Sequence, residues 1–280
     1  MSVNNFIPSL WSGQILLANR KNQVFRRFCN TNYQGMISDQ GDRVKINSIG
    51  PVSVSDYTKN STVVSYENLN DASQWLVIDQ AKYFAFGLDD IDAAQSNADL
   101  MAAAMNDASY RLSNAADTYI ASLHSQAGIT TGLGTTASPT EVTAAKVVGQ
   151  MAEIARRMSD ADCPEQDRWM VVPPWFHLKL RLAKIVNEVT TDEALIEGAA
   201  DRILGFSIFV SNNVATSGGA TKVLAGNLSA ITYADQIVHT EALRLSTAFK
   251  DGIRGLHVYG AKVVKADNLA VFSCSEGSES

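Results

Sequence analysis

The chain has 280 residues, of which 46% are hydrophobic and 19% are charged, a composition that can bury one large core or two modest ones. Its formal net charge of −6 argues against tight wrapping of nucleic acid, because phosphate binding needs a dense surface of Lys and Arg. No apolar run approaches the roughly 18 residues that cross a bilayer, and the N-terminus lacks a signal-peptide pattern, so we expect a protein that is neither membrane-spanning nor secreted.

Residues 1–34 are predicted to form an N-terminal arm. A short helix is expected there, with Pro8 in its first turn and Trp11 on its apolar side. A group of cations follows and indicates a solvated face or a face that pairs with a neighbouring subunit; its members are Arg20, Lys21, Arg26 and Arg27. DNA contact is the less favoured alternative, and Trp11, Arg26 and Arg27 are candidate assembly contacts.

The segment from Gly35 to Phe86 is predicted to run as extended strands separated by turns, a loop that reaches outward. Val44 and Ile46 alternate with Arg43 and Lys45, as apolar and polar residues do in a half-exposed strand. The candidate assembly contacts of this loop are Arg43, Lys45, Tyr57, Lys59 and Trp75. Glycines at the ends of its extended segments are candidate hinges, because glycine tolerates large backbone changes; they are Gly35, Gly50 and Gly87.

The stretch from Gln74 to Leu88 carries apolar residues on both faces of an extended chain. One face has Leu76, Ile78, Phe84 and Phe86, and the other has Trp75, Val77, Ala81 and Tyr83. A hairpin that is hydrophobic on two faces is marginal in water and invites pairing with another chain. We therefore expect a neighbouring subunit to cover it.

A long helix is predicted over residues 90–126. Apolar residues recur there at alternating spacings of 3 and 4, which places them on one stripe: Ile91, Ala94, Ala98, Met101, Met105, Ala108, Leu112, Ala115 and Tyr119. The stripe is rich in Ala, which favours a helix laid across a sheet over the alternative of a coiled coil. Acidic residues at its start favour N-terminal capping over a divalent-cation site; they are Asp89, Asp90 and Asp92.

Helices and strands alternate over residues 139–232, which predicts a compact α/β subdomain. A helix capped by Pro139 and Thr140 is expected to end near Asp160, with an apolar stripe of Val142, Ala145, Val148, Met151, Ala152 and Ala155. A buried strand is expected over residues 168–172 and another over residues 205–210. The helix between them should bury Trp175, Leu178, Leu182 and Ile185. Residues 256–264 and 269–272 are predicted to form two closing strands.

No sequence pattern indicates catalysis or a metal site. The chain contains no GxGxxG, GxxxxGK[ST], HExxH or GxSxG motif. Its histidines have no metal-ligand spacing and are expected to be structural; they are His124, His177, His239 and His257. The cysteines Cys29, Cys163 and Cys274 are far apart and form no CxxC pair, which predicts small buried thiols in a reducing compartment.

Several segments, in their order along the chain, resemble the major capsid proteins of tailed bacteriophages. These segments are Phe6-Ile7-Pro8-Ser9-Leu10-Trp11, Gly41-Asp42-Arg43-Val44-Lys45-Ile46 with Asp56-Tyr57-Thr58, Ile78-Asp79-Gln80-Ala81-Lys82-Tyr83-Phe84, and Phe249-Lys250-Asp251-Gly252-Ile253-Arg254-Gly255-Leu256. Each motif alone is weak, but their order covers nearly the whole chain and is fairly specific.

The resemblance implies an α+β fold of the tailed-phage capsid type. On this chain it implies an arm at 1–34, an extended β-hairpin loop at 35–86, a peripheral domain with the spine helix and a β-sheet at 87–138, and an axial domain at 139–232. Residues 233–280 are implied to be return strands of the peripheral domain. The implied function is that of a major capsid protein, which assembles into pentamers and hexamers of an icosahedral shell around phage DNA.

The resemblance also implies partners and a location. The partners are other copies of the chain, a separate scaffolding protein, a portal, and packaged double-stranded DNA through weak, non-specific contact, with no membrane. The location is the virion capsid, with assembly in the host bacterial cytoplasm. No cofactor and no enzymatic activity are expected. A covalent crosslink through Lys59 lacks a local signature and is disfavoured. A tail or ring-forming protein and an α/β enzyme are the alternative functions.

Overall fold

The computed structural model describes residues 24–32, 43–49, 56, 59, 71–89, 99–183, 202–244 and 250–278. These residues form a mixed α+β structure built on a two-stranded hairpin, a three-stranded sheet and a seven-stranded sheet. In this part of the chain, no helix is long and apolar enough to cross a membrane. Trp11, Gly35, Gly50 and Tyr57, together with the acidic pair Asp90 and Asp92, lie outside the described residues.

The hairpin joins strand β1 (Arg43–Ile49) to strand β2 (Asp71–Val77) in antiparallel register. Because side chains alternate along a strand, Val44, Ile46 and Leu76 lie on one face, where all are buried. Arg43, Lys45 and Trp75 lie on the opposite, exposed face. The predicted alternation of this segment is confirmed.

The three-stranded sheet has the order β10 (Ile231–Arg244), β11 (Lys250–Val263), β3 (Gln80–Asp89), with both pairings antiparallel. The pairing of β10 with β11 and that of β11 with β3 both run along most of the strands, so the sheet forms a long ribbon. The register shifts between Ile237 and His239, a bulge that divides β10 into two parts.

Helix α1 (Asp99–Ser122) crosses one face of this sheet, as the predicted stripe indicates. Met105 and Leu112 pack with Ile253 and the partly buried Phe84 and Phe86. A short 3-10 turn, Leu123–Gln126, follows the helix, so the predicted end is confirmed. Nearer the C-terminus, the fully buried residues of α1 are Ala116 and Ile120, which the predicted stripe did not include.

The hairpin covers part of the other face of the sheet. Leu76 and Ile78 pack there against Ala234 and Val258. A Cβ at Gly260 would lie 2.4 Å from the Val77 carbonyl oxygen, so only glycine allows the hairpin to approach β11 this closely.

The seven-stranded sheet has the order β4 (Thr140–Val142), β12 (Leu269–Glu276), β9 (Ala220–Asn227), β5 (Arg168–Val172), β7 (Phe206–Val210), β6 (Arg202–Ile203). The short strand β8 (Thr216–Ser217) pairs with β9 through a turn in which Gly218 and Gly219 have positive φ. The core beside it contains helices α2 (Val147–Asp160) and α3 (Pro174–Leu182). All residues of β5 are buried, as predicted for this strand.

Two helix predictions in this region are wrong in detail. Residues 140–142 form strand β4, which pairs with β12, so α2 begins only at Val147 and buries Val147, Met151, Ile154 and Met158. Of the predicted stripe of α2, Met151 is fully buried, whereas Ala145 and Ala152 are exposed. Helix α3 buries Phe176 and Leu180, and the predicted core residues Leu178 and Leu182 are exposed.

The path of the C-terminal strands also differs from the prediction. Strand β12 pairs antiparallel with β9, from Leu269 opposite Gly226 to Cys274 opposite Thr221, and so belongs to the seven-stranded sheet. Strands β10 and β11 lie with β3 in the three-stranded sheet beneath α1. Residues 233–280 therefore contribute to both sheets. Gly87 lies inside β3, opposite Gly252, and not at the end of an extended segment.

Candidate assembly surfaces

The outer face of the hairpin combines apolar and cationic side chains. Trp75 is 48% exposed and Val77 is 39% exposed. Lys45 lies directly opposite Trp75 and Arg43 opposite Val77, so the four side chains share one face. The Lys262 ammonium donates to the Trp75 carbonyl oxygen at 3.2 Å and adds a third cation. We call these five residues the hairpin face; such a patch suits a partner surface that is apolar with an anionic rim.

A second exposed surface lies on the half of the three-stranded sheet that the hairpin leaves uncovered. A groove of about 460 Å³ is lined there by Tyr83, Ala85, Glu241, Arg254, Gly255 and Leu256. Tyr83 is 78% exposed, and Arg254 Nη2 lies 2.6 Å from Glu241 Oε2 across the strands. A recess of about 280 Å³ continues past Gly87, Leu243 and Gly252. We call the two together the sheet groove.

The other predicted contact residues that the structure describes are Arg27, Lys59 and Arg26. Arg27 and Lys59 are exposed. The Arg26 side chain, in contrast, is only 11% exposed and pairs with Asp235, which is 3% exposed. The structure thus gives Arg26 a role inside its own subunit, and its contact with a neighbouring subunit stays a prediction.

Residues 24–30 form an anchor at the junction of the two sheets; we call them the arm anchor. The Val24 N–H donates to Asp117 Oδ2 of α1 at 3.1 Å. The Asn30 N–H donates to the Ile231 carbonyl oxygen of β10 at 2.8 Å. These bonds attach the anchor to the helix and to the sheet beneath it.

Aromatic contacts attach the arm anchor to the other sheet. The Phe28 ring centroid lies 5.0 Å from that of Trp169 on β5 and 4.5 Å from that of Phe209 on β7. Phe25 is buried in the same cluster, which also contains side chains of α1, β9, β10, β11 and β12. The anchor therefore lies in the core that joins the two sheets.

A buried ion network connects the arm anchor to strands β10 and β11. Arg26 Nη1 donates to Asp235 Oδ2 at 2.8 Å and Nη2 donates to Oδ1 at 2.9 Å, a bidentate pair. His257 Nε2 lies 3.2 Å from Asp235 Oδ2, and its ring is fully buried. The guanidinium also lies 5.5 Å from the Tyr233 ring centroid. We call Arg26, Asp235 and His257 the ion network.

Burial shifts the pKa of several groups around the network. Burial raises the pKa of Asp117 to about 6, although the N–H groups of Val24, Phe25 and Arg26 and the Asn213 side chain oppose the shift. Burial also raises the pKa of Tyr233 and of the Cys29 thiol well above their usual ranges. The hydroxyl and the thiol are therefore neutral at physiological pH.

Two other buried cations of the described residues, Lys222 and Lys179, are bonded within the subunit. The Lys222 ammonium donates to Thr136 Oγ1 at 2.7 Å and to Ser273 Oγ at 2.8 Å. The Lys179 ammonium donates to the Gly277 carbonyl oxygen at 2.8 Å. These bonds fasten a loop and the C-terminal strand, which is a structural role.

The cysteine predictions are confirmed, since Cys29, Cys163 and Cys274 are free and buried. Among the residues that the structure describes, no three His, Cys, Asp or Glu side chains are grouped so that they could hold a metal ion. The sequence did not single out Asp117 or Asp235. Asp117 lies off the predicted apolar stripe of the long helix, so no local pattern marked it, and none marks Asp235.

Comparison with known proteins identifies relatives of this arrangement. A family model described as "Phage capsid protein" matches residues 60–272. A chain from a solved structure of Mycobacterium phage Che8 is 28% identical, with a TM-score of 0.72 over 97% of this chain and 98% of that one. A search of curated protein sequences gives no match.

Two further solved structures share the fold at low sequence identity. The capsid structure of the cyanophage P-SCSP1u has a TM-score of 0.71 at 15% identity, covering 92% of this chain and 89% of that chain. The mature capsid of bacteriophage PhiM1 has a TM-score of 0.61 at 12% identity, covering 90% and 88%. The predicted α+β fold of the phage-capsid type is thereby confirmed.

Proposed function

Because the chain belongs to the phage capsid protein family, we propose that its copies bind one another through the hairpin face and the sheet groove. The chain is a structural subunit of a phage capsid. What supports this use of the two surfaces is their exposure: Trp75, Val77 and Tyr83 are large apolar side chains that the subunit itself leaves in water. Burying them against sister copies removes that cost.

The two surfaces differ in shape and charge, which favours a head-to-tail contact. The hairpin face is cationic and carries exposed apolar side chains, whereas the sheet groove is concave and its two charged residues, Glu241 and Arg254, pair with each other. A contact between unlike surfaces forms a ring when its rotation closes. Pentamers and hexamers of an icosahedral shell are the rings we propose for this subunit.

The remaining contact candidates extend this proposal. Trp11, Arg27, Tyr57 and Lys59 are proposed to touch neighbouring copies. Gly35, Gly50 and Gly87 are proposed hinges when the shell changes size, because glycine lowers the resistance of the backbone to bending. We expect no catalytic activity and no cofactor.

We propose further partners on the basis of family membership. They are a separate scaffolding protein, a portal, and packaged double-stranded DNA that touches the shell weakly. The net charge of −6 supports weak contact with DNA, because an acidic wall does not bind phosphates strongly. Assembly is proposed to take place in the host bacterial cytoplasm.

Substitution of the hairpin face tests the proposal. The chain is produced in bacteria together with the other head proteins of its phage, and particles are counted by negative-stain microscopy. We expect Trp75→Ser combined with Val77→Ser to lower the particle yield about tenfold or more, since an interface loses most of its energy with its aromatic anchors. The subunit should keep its melting temperature, because both side chains are exposed.

A matched control separates assembly from general surface effects. Tyr110 is also a large exposed side chain, but it lies on α1, away from both surfaces. Tyr110→Ser should leave the particle yield unchanged. Equal yields from the hairpin-face variant and the wild type would contradict the proposal. A third arm, which omits the other head proteins, should give few or irregular particles if a scaffolding protein is required.

A further inference from the structure

Holding the arm anchor by the ion network requires two charged side chains to lose their hydration, which opposes stability. Moving Arg26 and Asp235 out of water costs several kcal/mol for each ion. Their side chains are 11% and 3% exposed, so this cost is nearly complete. Apolar residues of similar volume often replace a buried ion pair with no loss of stability. The pair therefore calls for an explanation other than stability.

Geometry is what a bidentate pair provides and an apolar contact does not. Nη1 of Arg26 donates to Oδ2 of Asp235 at 2.8 Å and Nη2 donates to Oδ1 at 2.9 Å, which fixes the orientation of the Arg26 side chain in its plane. His257 holds the same carboxylate from β11 at 3.2 Å. Asp235 lies on β10 and is also held by a contact from β11. Asp235 in turn fixes the orientation of the Arg26 side chain.

The position of the network along the chain gives this geometry a consequence. Arg26 follows Val24 by two residues, and the Val24 N–H donates to Asp117 of α1. The same anchor contacts α1, the three-stranded sheet and β5 and β7 of the seven-stranded sheet. A small rotation of Arg26 would therefore move the arm anchor relative to both sheets.

We propose that Arg26, Asp235 and His257 are positioning residues for assembly, which set the position of the arm anchor relative to both sheets. The inference rests on the proposed function, because it concerns the angle at which subunits join in a shell. The groups that face the network are Asp117 from α1, Tyr233 from β10 and Tyr259 from β11. The predicted result of losing the network is a folded subunit that assembles at variable angles.

The test compares the geometry of particles with the stability of the subunit. In Arg26→Met combined with Asp235→Asn, both buried charges are removed, and the amide oxygen still faces His257 Nε2. The melting temperature is expected to change by less than about 5 °C. The spread of particle diameters in electron micrographs is expected to grow about twofold or more, since closed shells need fixed contact angles.

A second variant keeps the test informative when the double variant does not fold. Arg26→Lys preserves the charge opposite Asp235 and removes the bidentate geometry. It is expected to give folded subunits and the same broadening of particle diameters. The control is Arg111→Gln with Asp107→Asn, which removes an ion pair of 2.7 Å that is 77% and 59% exposed on α1. This control should leave the diameters unchanged.

The outcomes are distinguishable. Particles of wild-type uniformity from Arg26→Lys, or from a folded double variant, would overturn the inference and leave the proposed function standing. A large loss of melting temperature together with uniform particles would make the network a stability element, which also overturns it. When the wild-type chain itself forms no shells, the proposed function fails, and this inference fails with it.

Discussion

At the scale of single residues, Asp117 shows how the fold changes the chemistry of a side chain. It is 2% exposed on α1, and burial raises its pKa to about 6. Folding therefore makes this carboxyl group hold its proton more tightly than the unfolded chain does. Such a group contributes stability that is complete below its unfolded pKa, near pH 4, and is lost as the pH rises through about 6.

This sign gives a prediction for Asp117→Asn. The free energy of unfolding of the wild type, relative to the variant, should fall by about 1 kcal/mol between about pH 5 and pH 8. Urea denaturation at the two pH values measures it, and the comparison cancels the titration of all other groups. A difference between the two proteins that does not change with pH would contradict the assignment.

The residue scale is also where sequence reasoning reaches its limit. Composition and spacing predicted buried thiols, and the structure confirms them. The partner of Arg26 could not be predicted, because Asp235 lies 209 positions away and is brought close only by the docking of β10 against the arm anchor. Because Arg26 belongs to a cluster of cations in the sequence, it was predicted to lie on a solvated face or on a face that pairs with a neighbouring subunit.

At the scale of helices and strands, local pattern predicted the faces of strands better than the ends and faces of helices. Alternation placed Leu76 and Trp75 on opposite faces correctly, and the structure shows that the face of Leu76 is the buried one. The start of α2 was missed because residues 140–142 are recruited by β12, a pairing that overrides local helix preference. In α3 the sequence offers more than one apolar stripe, and only packing selects Phe176 and Leu180.

The docking of the hairpin on the sheet gives a prediction at this scale. A Cβ at Gly260 would lie 2.4 Å from the Val77 carbonyl oxygen and 2.9 Å from Ile78 Cδ1. We expect Gly260→Ala to push the hairpin from the sheet and to lower the free energy of unfolding by about 1–3 kcal/mol. Thermal or urea denaturation of the purified subunit measures this loss.

Gly149 in α2 is the control for this substitution. A Cβ there would meet nothing within 4 Å, and a helical alanine is favoured over glycine by about 1 kcal/mol. Gly149→Ala should therefore stabilise the subunit. If Gly260→Ala were equally stabilising, the close approach of the hairpin to β11 would be refuted.

At the scale of the whole molecule, two sheets share one core through the arm anchor and the strand path. The chain passes from β9 in the larger sheet to β10 and β11 in the smaller one, and returns to the larger sheet as β12. The order of motifs in the sequence predicted the fold type, which the fold comparison confirms. The sequence did not predict the return of β12, because a continuous apolar strand that is buried on both faces fits either sheet equally well.

The fold of a single subunit does not explain why the hairpin face and the sheet groove are exposed. The hairpin face and the sheet groove expose aromatic and aliphatic groups on opposite ends of the same sheet region. In a capsid protein, sister copies are the available cover for them. The central claim is therefore that these surfaces are buried in the shell and not in the subunit.

An electron cryomicroscopy reconstruction of particles assembled from the wild-type chain tests this claim most directly. The account predicts closed shells in which another copy covers Trp75, Val77 and Tyr83 of every subunit. Shells that leave these three side chains in solvent, or a stable monomer that forms no particles in the presence of the other head proteins, would contradict it.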